Sequence, residues 1–373
     1  MDPNDAASLI REAVYQEGFD LCGIAPAVTS SGYHQLVQWI DAGYAAGMNY
    51  FAERRDAYQH PSGVLAGAKS IVVMSFPYPS ESENSVSAGH GKIARYAWPG
   101  DDYHDVIHPK LKRICRLIKS SFPESNCRGV VDTAPIMERE IAELAGLGWR
   151  GKNTLLLNKK RGSYFLLACV LVDIELPADQ PHPSDHCGTC TACLDACPTD
   201  AFPKPGVLDA SRCISYLTIE HRDSIDVELR PKMADWFFGC DVCQEVCPWN
   251  RKPSRSPMVK ANELATIDLH ELFQLDDEQF RERFRKTPLW RTRRRGVLRN
   301  AAIVLGNQGS SESLSHLKIG LADEDPLVRG TSAWAIGKIG GDQASSILTT
   351  RLSIESDAEV IQEIQQASSA LGR

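Results

Sequence analysis

The sequence contains no apolar run that approaches the roughly 20 residues a membrane-spanning helix needs. Its first residues, MDPNDAASLIREAV, lack the basic start, the apolar stretch and the twin arginine of export signals. We therefore expect a cytoplasmic protein without a membrane partner. A long chain without an export signal also argues against a disulfide framework for its 12 cysteines.

Positive charge is scarce overall, because 41 basic residues face 48 acidic ones and the formal net charge is −7. That balance argues against a general polyanion-binding protein. Residues 281–299 are the exception: RERFRKTPLWRTRRRGVLR carries nine basic residues and one acidic residue, a local +8, so the rest of the chain totals −15. A basic strip on an acidic protein indicates a local contact with a polyanion.

Eight of the 12 cysteines lie between residues 187 and 247. The first four spell C-x2-C-x2-C-x3-C-P, the ferredoxin run in which three thiolates hold one 4Fe–4S cluster and the fourth reaches a second cluster. A partner run ends in Cys247-Pro248, with its leading cysteine displaced upstream to Cys213. On this pattern one cluster takes Cys187, Cys190, Cys193 and Cys247. The other cluster takes Cys197, Cys213, Cys240 and Cys243.

A four-thiolate zinc site is the alternative, since paired C-x2-C steps are typical of zinc ribbons. Zinc leaves unexplained the third cysteine of CGTCTAC, the longer step to Cys197 and the proline after it. Two clusters in reciprocal runs indicate a path for single electrons. Such a path needs an external low-potential donor, of the flavodoxin or ferredoxin type.

The length of 373 residues suggests two or three domains. Residues 1–176 alternate helical and strand patterns, which predicts an α/β (α+β sandwich) domain. We set a ferredoxin-like two-cluster domain at 177–255. Residues 256–373 are helical, with a weak repeat of LRNAAIVLGN against VRGTSAWAIGKIG that resembles HEAT or armadillo units. An unrelated helical bundle is the alternative for that region.

Three apparent motifs do not predict a function. Residues 146–153, GLGWRGKN, contain G-x-G-x-x-G and nearly spell a Walker A loop, but they precede a strand-like run, whereas both motifs need a strand first and a helix second. Residues 102–104 begin like the D-x-H-x-x-G motif of some cobalamin enzymes. Ile107 replaces its glycine, so His104 is not assigned as a cobalt ligand.

Taken together, the chain resembles the epoxyqueuosine reductase family. Besides the cysteine runs, the matching stretches are RYAWPGDDYH (95–104), VDTAPIMERE (131–140), GWRGKNTLLLN (148–158), YLTIEHR (216–222) and RNAAIVLGN (299–307). The resemblance implies a cobalamin-binding α/β catalytic domain and a helical tRNA-binding tail, in a protein we expect to be a monomer. It also implies that the clusters generate cob(I)alamin, which reduces epoxyqueuosine at the tRNA wobble position to queuosine, with the epoxide oxygen lost as water.

The implied reaction develops negative charge on the departing oxygen, so a general acid must lie within hydrogen-bond reach. Asp132 matches the family's proposed proton donor. It also ends a predicted strand that leads into a helix, at the edge where α/β sheets place their chemistry. The alternative role of Asp132 is a helix N-cap beside Thr133.

Polar and basic residues supply the remaining predicted contacts, for which ordinary solvated surface is the alternative. Residues expected to contact cobalamin are Arg55, Arg95, Lys152, Asn153, Gly162 and Ser163. Residues expected to contact tRNA are His221, Arg222, Arg291, Arg293, Arg294, Arg295 and Arg299.

Two other functions remain compatible with the sequence. A non-enzymatic electron carrier would account for the cysteine runs, and a corrinoid absorption band would exclude it. A corrinoid reductase of a small molecule, like the reductive dehalogenases, would leave the basic strip without a role. Those dehalogenases are typically exported and lack a HEAT-like tail.

Overall fold

The structure is a computed structural model that describes residues 2–80, 86–251 and 264–371. Its chain forms two compact units that do not follow the linear order. The first unit comprises residues 1–81, 101–211 and 242–261, and the second comprises 82–100, 212–241 and 262–373. The three consecutive domains predicted from the sequence therefore differ from the observed units. The predicted boundary at 255/256 lies outside the described residues.

The regular elements of the described residues are short, apart from a few long helices. The strands are β1 (Leu21–Pro26), β2 (Ser70–Pro77), β3 (His90–Ile93), β4 (Cys127–Val130), β5 (Trp149–Arg150), β6 (Leu156–Leu157), β7 (Phe165–Val172), β8 (Trp236–Phe238) and β9 (Thr266–Asp268). The helices are α1 (Pro3–Gln16), α2 (Tyr33–Asp41), α3 (Tyr50–Glu53), α4 (Tyr103–Ser121), α5 (Glu138–Leu144), α6 (Ala192–Asp195), α7 (Ile214–Ile219), α8 (Val242–Glu245), α9 (Leu269–Leu272), α10 (Asp277–Phe284), α11 (Arg293–Gln308), α12 (Leu314–Gly320), α13 (Pro326–Ile339), α14 (Gly341–Leu352) and α15 (Ala358–Leu371). Within the described ranges, every helix is too short or too polar to cross a lipid bilayer.

A four-stranded sheet is the centre of the first unit, in the order β1-β2-β7-β4 and antiparallel throughout. Alternate residues of β2 point to opposite faces, as the strand period of two requires. Val72 and Met74 pack against α1 and α4, whereas Ile71 and Val73 pack against α5. The predicted sandwich is thus present in its α+β form. Because this sheet is antiparallel, Asp132 does not lie at the carboxyl edge of a parallel sheet, where the sequence placed it.

The second unit combines a small sheet with the C-terminal helices. The sheet has the order β8-β3-β9, and α13 packs against both α11 and α15. Small residues allow this close packing: a Cβ on Gly337 would lie 2.6 Å from the Cβ of Ala367, and a Cβ on Gly306 would lie 3.0 Å from that of Ala335. The glycines of the two repeated sequences therefore mark where helices of the tail approach each other.

Candidate functional site

Four cysteines from the two runs line one cavity of the first unit. Cys187, Cys190, Cys193 and Cys247 surround a volume of about 200 Å³. Burial, and then the charges of the neighbouring thiols of Cys247 and Cys187, raise the pKa of Cys193. The arrangement fits a 4Fe–4S cluster and brings the first predicted ligand set together.

Short helical turns present these cysteines to the cavity. The amide of Cys190 donates to the carbonyl of Cys187 (3.0 Å), and α6 follows, carrying Cys193. Cys247 directly precedes a 3₁₀ turn that begins at Pro248, a residue that favours the first position of a helical turn. Pro248, the proline that follows the second cysteine run, therefore has a local role because it starts this turn.

The GLGWRGKN stretch holds the first cysteine run from the side. Lys152 Nζ donates to the carbonyl oxygens of Gly188 (2.6 Å) and Cys190 (2.9 Å). Asn153 is buried, and its Nδ2 donates to the carbonyl of Cys243 (3.4 Å). Both side chains also line the cysteine cavity. Lys152 and Asn153 therefore support the cluster loop, a role the sequence did not suggest, and their contact with cobalamin stays a prediction.

A second set of hydrogen bonds ties the later cysteine run to the residues before β7. The amide of Ser163 donates to Asn250 Oδ1 (2.8 Å), and Asn250 Nδ2 donates to Ser163 Oγ (3.0 Å). Gln244 Nε2 also donates to Ser163 Oγ (3.0 Å). Gly162 has φ +65°, and a Cβ there would lie 2.0 Å from Asn250 Oδ1. Gly162 and Ser163 thus position residues 244–250, while their predicted cobalamin contact is untested.

The two arginines predicted to contact cobalamin have protein partners. Arg55 is exposed and pairs with Asp41 at 3.3 Å. Arg95 is buried in the second unit, where its Nη1 lies 3.1 Å from Asp241 Oδ2 and its amide donates to the same oxygen at 2.8 Å. Because Arg95 is buried and already neutralised, we correct its assignment from cofactor contact to packing of the second unit. Arg55 stays a prediction.

The second predicted ligand set is divided between the two units. Cys197 and Cys243 belong to the first unit, and Cys213 and Cys240 belong to the second. Cys197 Sγ accepts a hydrogen bond from the amide of Ala201 (3.3 Å). Hydrogen bonds of this kind favour the thiolate and tune the potential of a cluster. The joint role of these four cysteines remains a prediction.

Asp132 lies in the loop between β4 and α5, with a left-handed backbone at φ +59°. Its side chain is 60% exposed. Tyr103 OH donates to Asp132 Oδ2 (2.8 Å), and His104 Nε2 lies 3.8 Å from the same oxygen. Helix α5 begins only at Glu138, with Met137 as its N-cap. Asp132 is therefore not the N-cap of that helix, which removes the alternative role.

His104 presents a polar atom toward this carboxylate. Its Nδ1 lies 2.8 Å from Asp102 Oδ1, and Asp102 caps α4. The Tyr103 ring stacks on the imidazole, with centroids 4.1 Å apart. His104 Nε2 is buried and has no hydrogen-bond partner among the described residues. A buried ring nitrogen without a partner is costly unless another group meets it.

Glu138 is a neighbour of Asp132 that the sequence did not single out. The amide of Asp132 donates to Glu138 Oε1 (3.1 Å). Burial, and then the charge of Asp132, raise the pKa of Glu138 to about 8, although the charge of Arg139 acts in the opposite direction. A glutamate at the first turn of a helix is ordinary, so the sequence contained no signal for this contact with Asp132.

Four predicted tRNA contacts are exposed residues of the second unit: Arg222, Arg291, Arg293 and Arg295, which we call the arginine patch. Burial and the nearby charges of Arg291 and Arg293 lower the pKa of Arg222, against the opposing charge of Glu220. The patch groups positive side chains, as predicted from the basic strip, although Arg291 pairs with Glu220 and Arg295 pairs with Asp325 at 3.2 Å. Its role in binding a polyanion remains a prediction.

The other three predicted tRNA contacts are buried or half-buried. Arg299 is fully buried and donates to the carbonyls of Leu217 (2.6 Å) and His221 (2.9 Å), and burial lowers its pKa to about 9. The prediction that Arg299 contacts phosphates is wrong, because its guanidinium has no exposed surface. Arg294 Nη2 pairs with Asp323 at 2.7 Å. His221 is half-buried, which lowers its pKa.

Three family models match successive parts of the chain. Residues 59–133 match the model for epoxyqueuosine reductase QueG. Residues 186–250 match the 4Fe-4S double cluster binding domain, and residues 289–369 match HEAT repeats. The predicted two-cluster module and the predicted HEAT-like repeats are thereby confirmed.

Curated relatives and solved structures agree with these matches. The chain is 42% identical over 299 residues to the epoxyqueuosine reductase of Cyclobacterium marinum, covering 79% of this chain and 96% of that one. The Pseudomonas aeruginosa enzyme is 39% identical over 347 residues, covering 91% and 96%.

Two solved structures of epoxyqueuosine reductases are also similar. The first contains a tRNA-Tyr epoxyqueuosine-modified stem loop, with a TM-score of 0.93, 33% identity and 100% coverage of both chains. The second, from Bacillus subtilis, has its catalytic aspartate loop swung out of the active site, with a TM-score of 0.87, 32% identity and coverage of 98% and 100%. This chain is therefore an oxidoreductase that belongs to the epoxyqueuosine reductase family.

Proposed function

We propose that this protein reduces epoxyqueuosine at the tRNA wobble position to queuosine, with electrons passed through two 4Fe–4S clusters to cobalamin. The observation that carries the proposal is the cavity lined by Cys187, Cys190, Cys193 and Cys247. Its ligands come from both cysteine runs, which is the reciprocal arrangement of two-cluster ferredoxins. A carrier protein would share this cavity, but family membership favours the reductase.

The second cluster in this proposal is held by Cys197, Cys213, Cys240 and Cys243. Two clusters in one module pass electrons singly, whereas removal of an epoxide oxygen consumes two electrons and two protons. The electrons come from an external low-potential donor of the flavodoxin or ferredoxin type. The product is an alkene, and the oxygen leaves as water.

Cobalamin is assigned to the region of Asp132 in the first unit. The supporting observation is His104 Nε2, the buried nitrogen without a partner that lies 3.8 Å from Asp132 Oδ2. This atom fits the amide-rich rim of a corrinoid, which offers both donors and acceptors. When bound, cobalamin supplies a low-potential metal centre for the two-electron reduction. The chain's own residues supply protons and orientation.

Asp132 is proposed as the acid that delivers a proton to the epoxide oxygen. It is exposed and accepts a hydrogen bond from Tyr103 that orients its carboxyl group. The Bacillus subtilis relative has a catalytic aspartate loop that swings out of its active site. Asp132 lies on a loop as well, between β4 and α5. We infer that this loop brings the carboxyl group to the substrate.

The tRNA partner is proposed by analogy with the relative bound to a modified stem loop. In this chain the arginine patch supplies the positive charge that phosphates require. Arg293 is additionally held over the Trp290 ring, 4.4 Å from its centroid. Such stacking fixes the direction of a long, otherwise mobile side chain.

Anaerobic reconstitution of the purified protein tests this function. Iron, sulfide and cobalt analysis should give two clusters and one corrinoid per chain, and the loaded protein should convert epoxyqueuosine tRNA when given a low-potential reductant. A fully loaded preparation without turnover would contradict the proposal. Zinc in place of iron would contradict its electron path.

Asp132→Asn tests the acid separately. The amide keeps the size of the side chain but cannot donate the catalytic proton, so turnover should fall by about 10² or more. Cobalamin binding, followed in the visible spectrum, should be unchanged. Near-normal turnover would remove Asp132 from the mechanism while leaving the clusters in place.

A further inference from the structure

Electrons from an external carrier must enter where a cluster approaches the protein surface. Of the 12 cysteines, all of which lie in the described part of the chain, Cys190 is the exposed one, and the others are buried or half-buried. Cys190 lines the cysteine cavity together with Cys187, Cys193 and Cys247. The cluster of this cavity is therefore the better placed of the two to receive electrons from outside.

A tight turn lies beside the cysteine cavity. It follows Leu157, which lines the cavity, and Asn158 and Gly162 close it by exchanging two backbone hydrogen bonds (2.8 and 2.9 Å). Asn158 Oδ1 also accepts the amide hydrogen of Lys160 (2.8 Å). At the far end of the turn, a Cβ on Gly162 would lie 3.0 Å from the carbonyl oxygen of Trp249, which lines the same cavity. Both ends of the turn are thus fixed next to the cavity.

The turn carries positive charge to the rim of the cavity. Its residues 158–162, which we call the lysine turn, include two exposed lysines, Lys159 and Lys160. Neither lysine forms an ion pair with any residue that the structure describes. The adjacent Arg161 is different, because its Nε lies 3.1 Å from Asp20 Oδ2. The uncompensated charge of the lysine turn therefore belongs to the two lysines.

Carboxylates near the cavity lie on the first cysteine run instead. Asp185 accepts the amide hydrogen of Cys187 (2.6 Å), and Asp195 accepts the hydroxyl hydrogen of Thr191 (2.7 Å). These hydrogen bonds hold the two carboxylates on the loop that carries the cysteines. The rim is thus positive at the lysine turn and negative at the cysteine run, so a partner with acidic groups is attracted to one side only.

An acidic partner needs such a local attraction to approach this protein. The net charge of the whole chain is −7, which repels a negatively charged partner at long range. The arginine patch lies in the second unit, and its positive charge is assigned to tRNA. The lysine turn supplies positive charge in the first unit, at the place where a cluster is accessible.

We propose that the lysine turn is the docking site of an acidic one-electron carrier protein that reduces the cluster of the cysteine cavity. This inference rests on the proposed function, which supplies the cluster and the electron path. In each encounter one electron leaves the reduced carrier and enters the oxidised cluster, and no bond is made or broken. Two encounters supply the two electrons that removal of the epoxide oxygen consumes.

Charge reversal of both lysines tests the proposal in the reconstituted holoenzyme. The Lys159→Glu/Lys160→Glu variant is mixed anaerobically with reduced flavodoxin, and oxidation of the flavin is followed by stopped flow. We expect the second-order rate constant at low salt to fall between about 10- and 100-fold, because local charges steer the association of redox partners. The wild-type rate should fall as salt is added, whereas the rate of the variant should not.

A double variant on the opposite face of the four-stranded sheet is the matched control. Lys112→Glu/Lys119→Glu changes the net charge by the same amount at exposed positions of α4, which packs on the face opposite to Leu156 of β6. Its rate should stay within about threefold of the wild type. Both variants should bind as much iron as the wild type and be reduced to the same extent by excess dithionite. If the reversed charges prevent iron loading, Lys159→Gln/Lys160→Gln replaces them, with an expected fall of about threefold or more.

Equal rates in the wild type and the lysine-turn variant would overturn the inference, and so would an equal fall in both double variants. A wild-type rate that rises with salt would also overturn it. Turnover of epoxyqueuosine tRNA with dithionite separates this inference from the proposed function. Full turnover with a carrier rate independent of the lysine turn defeats the docking site alone. A carrier rate that depends on the lysine turn, without any turnover, defeats the reductase function alone, and zinc in place of iron defeats both.

Discussion

Replacing Gly162 with alanine should release the turn that follows Cys247. Gly162 has φ +65°, and an alanine Cβ would lie 2.0 Å from Asn250 Oδ1 and 3.0 Å from the Trp249 carbonyl oxygen. Asn250 is buried and cannot move aside without losing its partners. Gly206 offers a matched control, because its φ is +76° and a Cβ there meets nothing within 4 Å.

The two substitutions differ in one component of the free energy of unfolding. Both place an L side chain in the left-handed region, at a cost of about 1–2 kcal/mol. Gly162→Ala also displaces the Asn250 amide, which makes hydrogen bonds with Ser163 N, Ser163 Oγ and Gln244 O. At about 1 kcal/mol net for each of these bonds, Gly162→Ala should destabilise by roughly 4–5 kcal/mol.

Denaturant unfolding of both variants under anaerobic conditions, together with iron analysis, measures the difference. Because Asn250 supports the turn after Cys247, Gly162→Ala should lose about four of the eight irons expected for two clusters. Gly206→Ala should keep all of them. Equal stability and equal iron content in the two variants would refute the assigned role of the Asn250 hydrogen bonds.

Three further experiments probe other parts of the chain. Although burial alone would raise it, hydrogen bonds from two arginines lower the pKa of Glu355 to about 2. This stabilisation is present above the ordinary pKa of 4.5 and is lost as pH falls toward 2, so Glu355→Gln should cost about 3 kcal/mol in unfolding experiments at pH 7. The difference should shrink below pH 4.5, and a gap independent of pH would contradict it. Lys152→Met should speed iron loss to a chelator, because the carbonyls of the first cysteine run lose their hydrogen bonds to the Lys152 ammonium group. An unchanged rate of iron loss would argue against that role of Lys152. Charge reversal at Arg293 and Arg295 should weaken tRNA binding and reduce the salt slope by about 2, with Arg281→Glu as the control. An unaffected slope would place the tRNA elsewhere.

Local patterns predicted the features that depend on neighbours in sequence. The spacing of Cys187, Cys190 and Cys193 was sufficient to identify a cluster loop, because those thiolates are held by a few adjacent turns. The distant Cys247 could be added because ferredoxin runs are reciprocal. The repeat of small and aliphatic residues predicted the helical tail for a similar reason, since each unit repeats its packing contacts.

Features that depend on distant partners could not be predicted. Buried apolar strands carry no signal for their direction, so the antiparallel order of the sheet was not evident. Lys152 was predicted to contact cobalamin, and its hydrogen bonds to the carbonyls of Gly188 and Cys190 join residues too far apart in sequence to be predicted. Arg299 belonged by charge to the basic strip, although the apolar VLRNAAIVL around it could have indicated burial. Glu138 contacts the Asp132 amide only because the loop between them bends back, which no local pattern indicated.

The interleaving of the two units has a consequence for synthesis on the ribosome. The first unit includes residues 242–261 and the second begins with residues 82–100. Neither can therefore be finished from a contiguous nascent segment, and the first unit must wait until Asn250, which makes hydrogen bonds with Ser163, has been translated. Metal loading at Cys247 is delayed equally, so cluster assembly proteins should meet a largely completed polypeptide. A separate fragment that contained only the cysteine runs would lack the hydrogen bonds from the rest of the first unit that hold those runs.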